Sequence, residues 1–252
     1  MVKNGMTTRR AWLAALWFLP LLLSGGLQVE PAPVAAQAPS VITTDEEPHH
    51  HLALKNDLVK VFEITLAPRD AFLMHRHDND DVSIVVGDAT TVSTTPGQAD
   101  ILRISKAGEI NFARSGRAHS VRNIGQTAYR SVSIDLLHTQ TGARNLCGGQ
   151  ISNQPANCPA AVGADSNAPR ADLPQFETDQ IRVTLTRIRP RQQAIFGEPD
   201  RDDLIVTIDE AVTADQQLAS GSSVWIARGG AGQVLKNNSD KEVRVVTVAF
   251  KP

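Results

Sequence analysis

Two histidines one residue apart, His75 and His77, carry the first chemical signal in the chain. Alternate side chains of a strand share a face, so both imidazoles would project the same way from Cα atoms about 6.5 Å apart. From that separation two ring nitrogens can converge on one ion at ~2.1 Å. Asp81 follows His77 by four residues, at or near the start of a returning strand, and can add an oxygen. His119 comes 42 residues after His77, beyond another turn. Three neutral imidazoles and one carboxylate form a site for a first-row divalent ion with coordination positions left open. A His-x-His pair alone is weak, because paired surface histidines are common, and each of the three could instead be a buried, hydrogen-bonded side chain.

The neighbours refine this picture. A divalent ion with three neutral histidines and one aspartate leaves a charge of about +1 in an apolar cavity, which favours anionic substrates, dioxygen or a bound water. Ser83 lies two beyond Asp81 on the same face, within reach of the ligands rather than of the ion. Val85 on that face would make the pocket apolar. Arg76, between the two histidines, should face away as a surface or interface charge. No further acid or base is evident near these residues, and the single tyrosine, Tyr129, is remote in sequence. His49, His50 and His51 precede the first long strand and read as a solvated patch, and His138 as a surface residue at a strand end.

The elements that must position these residues are strands. Short β-rich runs at 58–66, 71–77, 82–86, 101–105 and 129–137 are separated by turn signals such as Thr95-Pro96-Gly97 and Asn123-Ile124-Gly125. Close spacing without a long amphipathic run predicts an all-β sandwich or barrel. After a Gly-, Ala-, Asn- and Pro-rich stretch, strands resume at 180–188, 204–209, 223–227 and 242–250. The second set repeats the first. A shift of 122 places Pro68 and Arg69 on Pro190 and Arg191, and Asp78, Asp80 and Asp81 on Asp200, Asp202 and Asp203. A shift of 114 places Asn123 on Asn237 and Arg130 on Arg244. The boundaries that follow are a barrel at 52–140, a linker at 141–175 and a second barrel at 176–252, with a flexible segment at 37–51 that is extended or disordered over 37–48.

Residues 1–36 read as an export signal. Lys3, Arg9 and Arg10 form a positive segment, residues 11–23 an apolar stretch, and Val34-Ala35-Ala36 a cleavage site. Thirteen apolar residues fall short of the ~20 needed to span a bilayer, so no membrane span is expected after processing. Thr8-Arg9-Arg10-Ala11-Trp12-Leu13 also resembles a twin-arginine signal, although two arginines suit an ordinary one equally well. The expected location is periplasmic or secreted. In that compartment the only cysteines, Cys147 and Cys158, read as a disulfide pinning the linker. A formal net charge of −2 and 4% aromatic residues exclude a polyanion binder, so no nucleic-acid partner is expected.

At this point the residues resemble a family. The cupin superfamily carries the motifs G-x5-H-x-H-x(3,4)-E-x6-G and G-x5-P-x-G-x2-H-x3-N. Here His75-Arg76-His77 is followed by Asp81 and Gly87, and Gly108, Gly116, His119 and Asn123 keep the spacing of the second motif. The first glycine is absent, Asp81 stands where glutamate is usual with one residue fewer before Gly87, and Arg114 replaces the proline. Aspartate is one methylene shorter, which puts direct coordination by Asp81 in question. The resemblance covers 52–138, and the repeat extends it to 176–252 as a bicupin. It implies two tandem cupin (double-stranded β-helix, or jelly-roll) barrels and one divalent ion, Mn, Fe, Ni, Zn or Cu, held by His75, His77, His119 and Asp81. In the second copy His75 and His77 correspond to Gly197 and Pro199, and His119 to about Gln233, so that barrel should be metal-free.

Two functions remain open on these grounds. The resemblance implies a metal-dependent oxygenase, decarboxylase, isomerase or lyase acting on a small oxygenated molecule. The alternative is a non-catalytic exported module that binds metal or a small ligand, or serves assembly. Intact histidines favour the first, and the missing acid–base partner favours the second. A small-molecule partner is expected, and a homo-oligomer is compatible.

Overall fold

The computed structural model describes residues 40–158 and 168–252. The export signal expected at 1–36 lies outside the described residues. Residues 39–252 form one compact unit.

The first barrel is built from β1 (Ile42–Thr43), a one-turn 3-10 helix (Thr44–Glu46), β2 (His50–Lys55), β3 (Val59–Leu66), β4 (His75–Arg76), β5 (Asp80–Val85), β6 (Ala89–Thr94), β7 (Ile101–Ser105), β8 (Ile110–Ala113), β9 (Ala118–Asn123) and β10 (Tyr129–Leu136). Two five-stranded sheets, β1-β4-β9-β6-β7 and β2-β3-β10-β5-β8, face each other as a jelly roll. The second barrel comprises β11 (Arg144–Asn145), β12 (Arg170–Glu177), β13 (Ile181–Ile188), β14 (Gln193–Phe196), β15 (Asp203–Thr207), β16 (Ala211–Val212), β17 (Gln217–Leu218), β18 (Ser223–Ile226), β19 (Gln233–Lys236) and β20 (Val243–Phe250). Its sheets run β11-β12-β13-β20-β15-β18 and β14-β19-β16-β17.

The duplication is visible in the backbone. β3 and β13 are both eight residues long and 122 apart, and β10 and β20 are both eight and 114 apart. Arg69 and Arg191, each after a proline, adopt the same left-handed turn at φ 72° and 62°. Asn123 Nδ2 donates to Leu66 O and Thr127 O, and Asn237 Nδ2 donates to the equivalent Ile188 O and Lys241 O.

Alternation along the strands decides what each face does. Val59, Val61, Val82, Ile84, Val132 and Ile134 point out of the first barrel and join Val183, Leu204, Val206, Val246 and Val248 of the second in one continuous core. The contact is reciprocal, as in a two-fold dimer. Arg130 Nη2 donates to Ser220 O at 2.7 Å, and its repeat equivalent Arg244 donates from Nη1 to Ala107 O at 2.6 Å. Gly108 adjoins that second contact at φ 99°, and a Cβ there would lie 3.0 Å from Arg244 Nη1.

Two segments differ from the sequence reading. Residues 42–51 are ordered rather than flexible: β1 pairs in parallel with β4, and β2 pairs with β3. The buried Glu47 is the reason, because its carboxylate accepts from His49 Nδ1 at 3.1 Å and His50 Nδ1 at 2.8 Å and fixes the segment over the barrel end. The histidine run is therefore not a solvated patch: His50 is buried and His51 exposed. The expected linker 141–175 also contains strand, since β11 pairs with β12, whose first residue is Arg170. Cys147 and Cys158 are disulfide-bonded, with Cα atoms 4.2 Å apart.

Candidate metal centre

β4 and β9 bring the histidines together. His75 and His119 are direct cross-strand partners, and His77 follows on the same face as His75. One ring nitrogen from each of His75, His77 and His119 lies within 4.8 Å of the other two. His75 Nδ1 donates to Leu73 O at 2.9 Å, which leaves Nε2, buried and without a partner, as its free lone pair. His77 Nε2 and His119 Nε2 are 3.2 Å apart. Burial holds all three rings neutral: it takes His75 down to about 4 and His119 to about 3, and also depresses His77, with Arg117 adding to the effect at each. Neutral, preoriented imidazoles and an orphaned buried nitrogen fit a divalent ion.

Asp81 stands apart from this set. Its Oδ1 lies 3.5 Å from His77 Nδ1, behind the ring, and accepts from Arg117 Nη2. The short side chain and the guanidinium together leave the carboxylate outside the group of three ring nitrogens that lie close enough to share one ion. Ser83 lines the cavity beside Asp81, as its position on β5 implied. Arg76 faces away, donating to Asp78 Oδ1 at 2.5 Å. His138 is exposed.

The sequence reading missed four participants. Arg117 was legible, because it precedes His119 by two residues and so shares its side of the chain. His50 packs with its ring centroid 4.9 Å from His75, carried there by Glu47, whose carboxyl burial would raise but hydrogen bonds from His50 and His49 hold down at about 2. Asp135 pairs across the sheet with Asp81, and burial together with that neighbouring carboxylate pushes it up to about 6. Tyr129 reaches the cavity although distant in sequence.

That cavity measures about 840 Å³ and is walled by His119, Asp81, Ser83, Val85, Arg103, Arg117, Val121 and Tyr129, among others. The second barrel keeps a smaller hollow, about 430 Å³, lined by Thr184, Thr186, Asp203 and Thr247 without histidine. Gly197 there has φ 92°, and a Cβ would lie 2.7 Å from Ile226, so an isoleucine crowds the place from which His75 projects in the first copy. Asp203, the counterpart of Asp81, is buried and paired with Arg201.

The buried rings make acid stability a test of this arrangement. Below pH 6.5 the unfolded chain takes up protons at His75, His77 and His119 that the folded chain refuses, so stability of the metal-free protein should fall as pH drops from about 6.5 to about 4. Asp135 and Asp81, whose carboxyls burial raises, work in the opposite direction but are outnumbered. The denaturant midpoint of metal-stripped protein should be lower at pH 5 than at pH 7, and equal midpoints would contradict neutral burial.

No family model matches this sequence, and no curated protein matches it. Solved structures do. AerE from Microcystis aeruginosa aligns with a TM-score of 0.50 over 82% of this chain and 99% of its own, at 9% identity. A mutant salicylate 1,2-dioxygenase from Pseudoaminobacter salicylatoxidans, in complex with gentisate, gives 0.51 over 77% of this chain and 69% of its own, at 10% identity. A cupin domain from Bordetella pertussis is 25% identical over 34% of this chain and 88% of its own, with a TM-score of 0.32. Tandem jelly rolls, with a three-histidine cluster where β4 meets β9, give this chain the two-barrel cupin-type fold that it shares with AerE and the salicylate 1,2-dioxygenase.

Proposed function

We propose that the protein is an exported, metal-dependent bicupin enzyme acting on a small oxygenated anion in its first barrel. The observation that carries this reading is the convergence of three neutral imidazoles, two buried and one half-buried, beside a cavity of about 840 Å³ that also holds two arginines and a tyrosine. That volume is in the range of small-molecule sites. His75, His77 and His119 would hold the ion, Mn, Fe, Ni, Zn or Cu, which supplies a Lewis acid and, for the redox-active metals, a place for dioxygen.

The chain's own residues set the substrate class. Arg103 makes no ion pair among the described residues and offers the wall a guanidinium suited to a carboxylate, whereas Arg117 is paired with Asp81. Val85, Ile110 and Val121 supply apolar wall for a carbon skeleton. Burial raises the Tyr129 hydroxyl above its ordinary value, so it stays protonated and available as a hydrogen-bond donor. Tyr129 and Glu109 also supply the proton-carrying groups whose apparent absence favoured a non-catalytic module. The positive-then-apolar N-terminus and the Cys147–Cys158 bridge support export.

The test is reconstitution with each of the five metals followed by oxygen-uptake and carbon dioxide-release assays on small hydroxylated carboxylates. The dioxygenase that shares the fold makes salicylate and gentisate the first to try. Turnover only in a metal-loaded form is the expected result. Failure to take up any of the metals would sink the reading.

A further inference from the structure

The wall of the first-barrel cavity is not made by the first barrel alone. Gly148, Gly149, Gln150 and Ser152 line it from the segment between the barrels, with Gln175 from β12. The Cys147–Cys158 bond closes that segment into a loop. From β11, just before the loop, the buried Asn145 reaches into it, donating from Nδ2 to Ile151 O and Gln154 O, both at 2.9 Å, and accepting from Ile151 N at 2.8 Å. Its foot is fixed where Cys147 N donates to Pro174 O at 2.8 Å and Gly148 N to Gln175 O at 3.0 Å. A covalent closure and an internal polar brace make a stiff element, not a slack connection.

Position and chemistry both place this element at the cavity mouth. Gly149 and Ser152 line the cavity and are also exposed, so the loop stands where the cavity meets solvent. Gln150 donates from Nε2 to Gln175 Oε1 at 3.2 Å, while its own Oε1 is buried and unpartnered. A buried acceptor without a donor is costly, and here it belongs to a side chain on the cavity wall.

We propose that the disulfide-closed loop 147–158 is the selective rim of the first-barrel cavity and sets by size which small molecules reach the histidine cluster. The second barrel thereby takes part in the site, because β12 anchors the rim. The inference rests on the cavity being the access route to a metal held by His75, His77 and His119. Stiffness gives the rim its selectivity: a fixed aperture discriminates by size where a mobile loop would yield.

The test uses the full mature chain loaded with Co(II), whose visible absorption reports both occupancy and ligand binding. Pyridine-2,6-dicarboxylate removes the ion, and its rate is followed over a range of chelator concentrations; azide is the small probe. Gly149→Trp narrows the rim at a position where an added Cβ meets nothing within 4 Å. The double variant Cys147→Ser/Cys158→Ser loosens it. All three proteins should bind equal Co(II) and bind azide alike, with removal by the chelator slowed severalfold in Gly149→Trp and quickened severalfold in the double variant. Equal removal rates in all three, or rates independent of chelator concentration, would overturn the rim while leaving the metal site standing. Co(II) uptake that survives His75→Ala undiminished would instead remove the metal site, and the rim with it.

Discussion

Replacing His75 with alanine should yield a folded protein without stoichiometric metal. The side chain is fully buried, its Nδ1 is fixed on Leu73 O, and its Nε2 is buried without a partner. Its loss leaves two imidazoles, and Arg117 holds the Asp81 carboxylate outside the three-nitrogen group. The effect should exceed the roughly 10–100-fold loss of affinity typical when a group that only orients a ligand is changed. Asp81→Asn should show that smaller loss, since its carboxylate lies beside His77 at 3.5 Å but outside the three-histidine group. Asp203→Ala, in the histidine-free barrel, should leave metal content unchanged. Elemental analysis of untagged protein, alongside circular dichroism to confirm folding, measures all three. Full metal content in His75→Ala, or its loss in Asp203→Ala, would mean that the ion sits elsewhere.

The contrast between Asp81 and the histidines also shows where the sequence was informative. His75 and His77 were legible because a period of two puts them on one face, and His119 because the spacing of a second motif places it opposite. Asp81 was legible as a participant, whereas its contact with Arg117 from the β9 side was not. His50 gave no periodic signal. Its burial follows from Glu47, which holds His50 locally and accepts from Leu73 N across the barrel end, a contact between residues distant in sequence.

The same logic explains the strands that pattern reading passed over. β6 (Ala89–Thr94) and β9 (Ala118–Asn123) turn Thr91, Ser93 and His119 toward the cavity. A polar cavity wall on one face and solvent on the other erase the apolar–polar alternation that marks a half-buried strand. By contrast β3, β10, β13 and β20 press aliphatic faces into the shared core, and their limits were read to within one residue. Arg130 and Arg244 matched in the sequence repeat, yet only the folded chain shows why both copies keep an arginine there, since each clamps the opposite barrel.

That shared core sets the second large expectation, in which Phe176→Ala destabilises both barrels together. Phe176 is fully buried on β12 of the second barrel, with its ring centroid 5.3 Å from that of Phe112 on β8 of the first. Arg114, standing where the family motif has proline, covers Phe112 at 5.0 Å and donates to Asp80 Oδ2 and Gln140 O, tying this contact to the junction between barrels. Truncation removes the ring and leaves a cavity that neighbours in two sheets cannot both close, so the cost should be about 3–5 kcal/mol. For a domain of this size that corresponds to a fall in Tm on the order of 6–20 °C. Because the core is continuous, calorimetry should record one cooperative transition in parent and variant alike, moved as a whole to lower temperature. Independent barrels would behave otherwise, with the variant showing one lowered transition and one unmoved, and the first barrel would then retain its metal through the unfolding of the second.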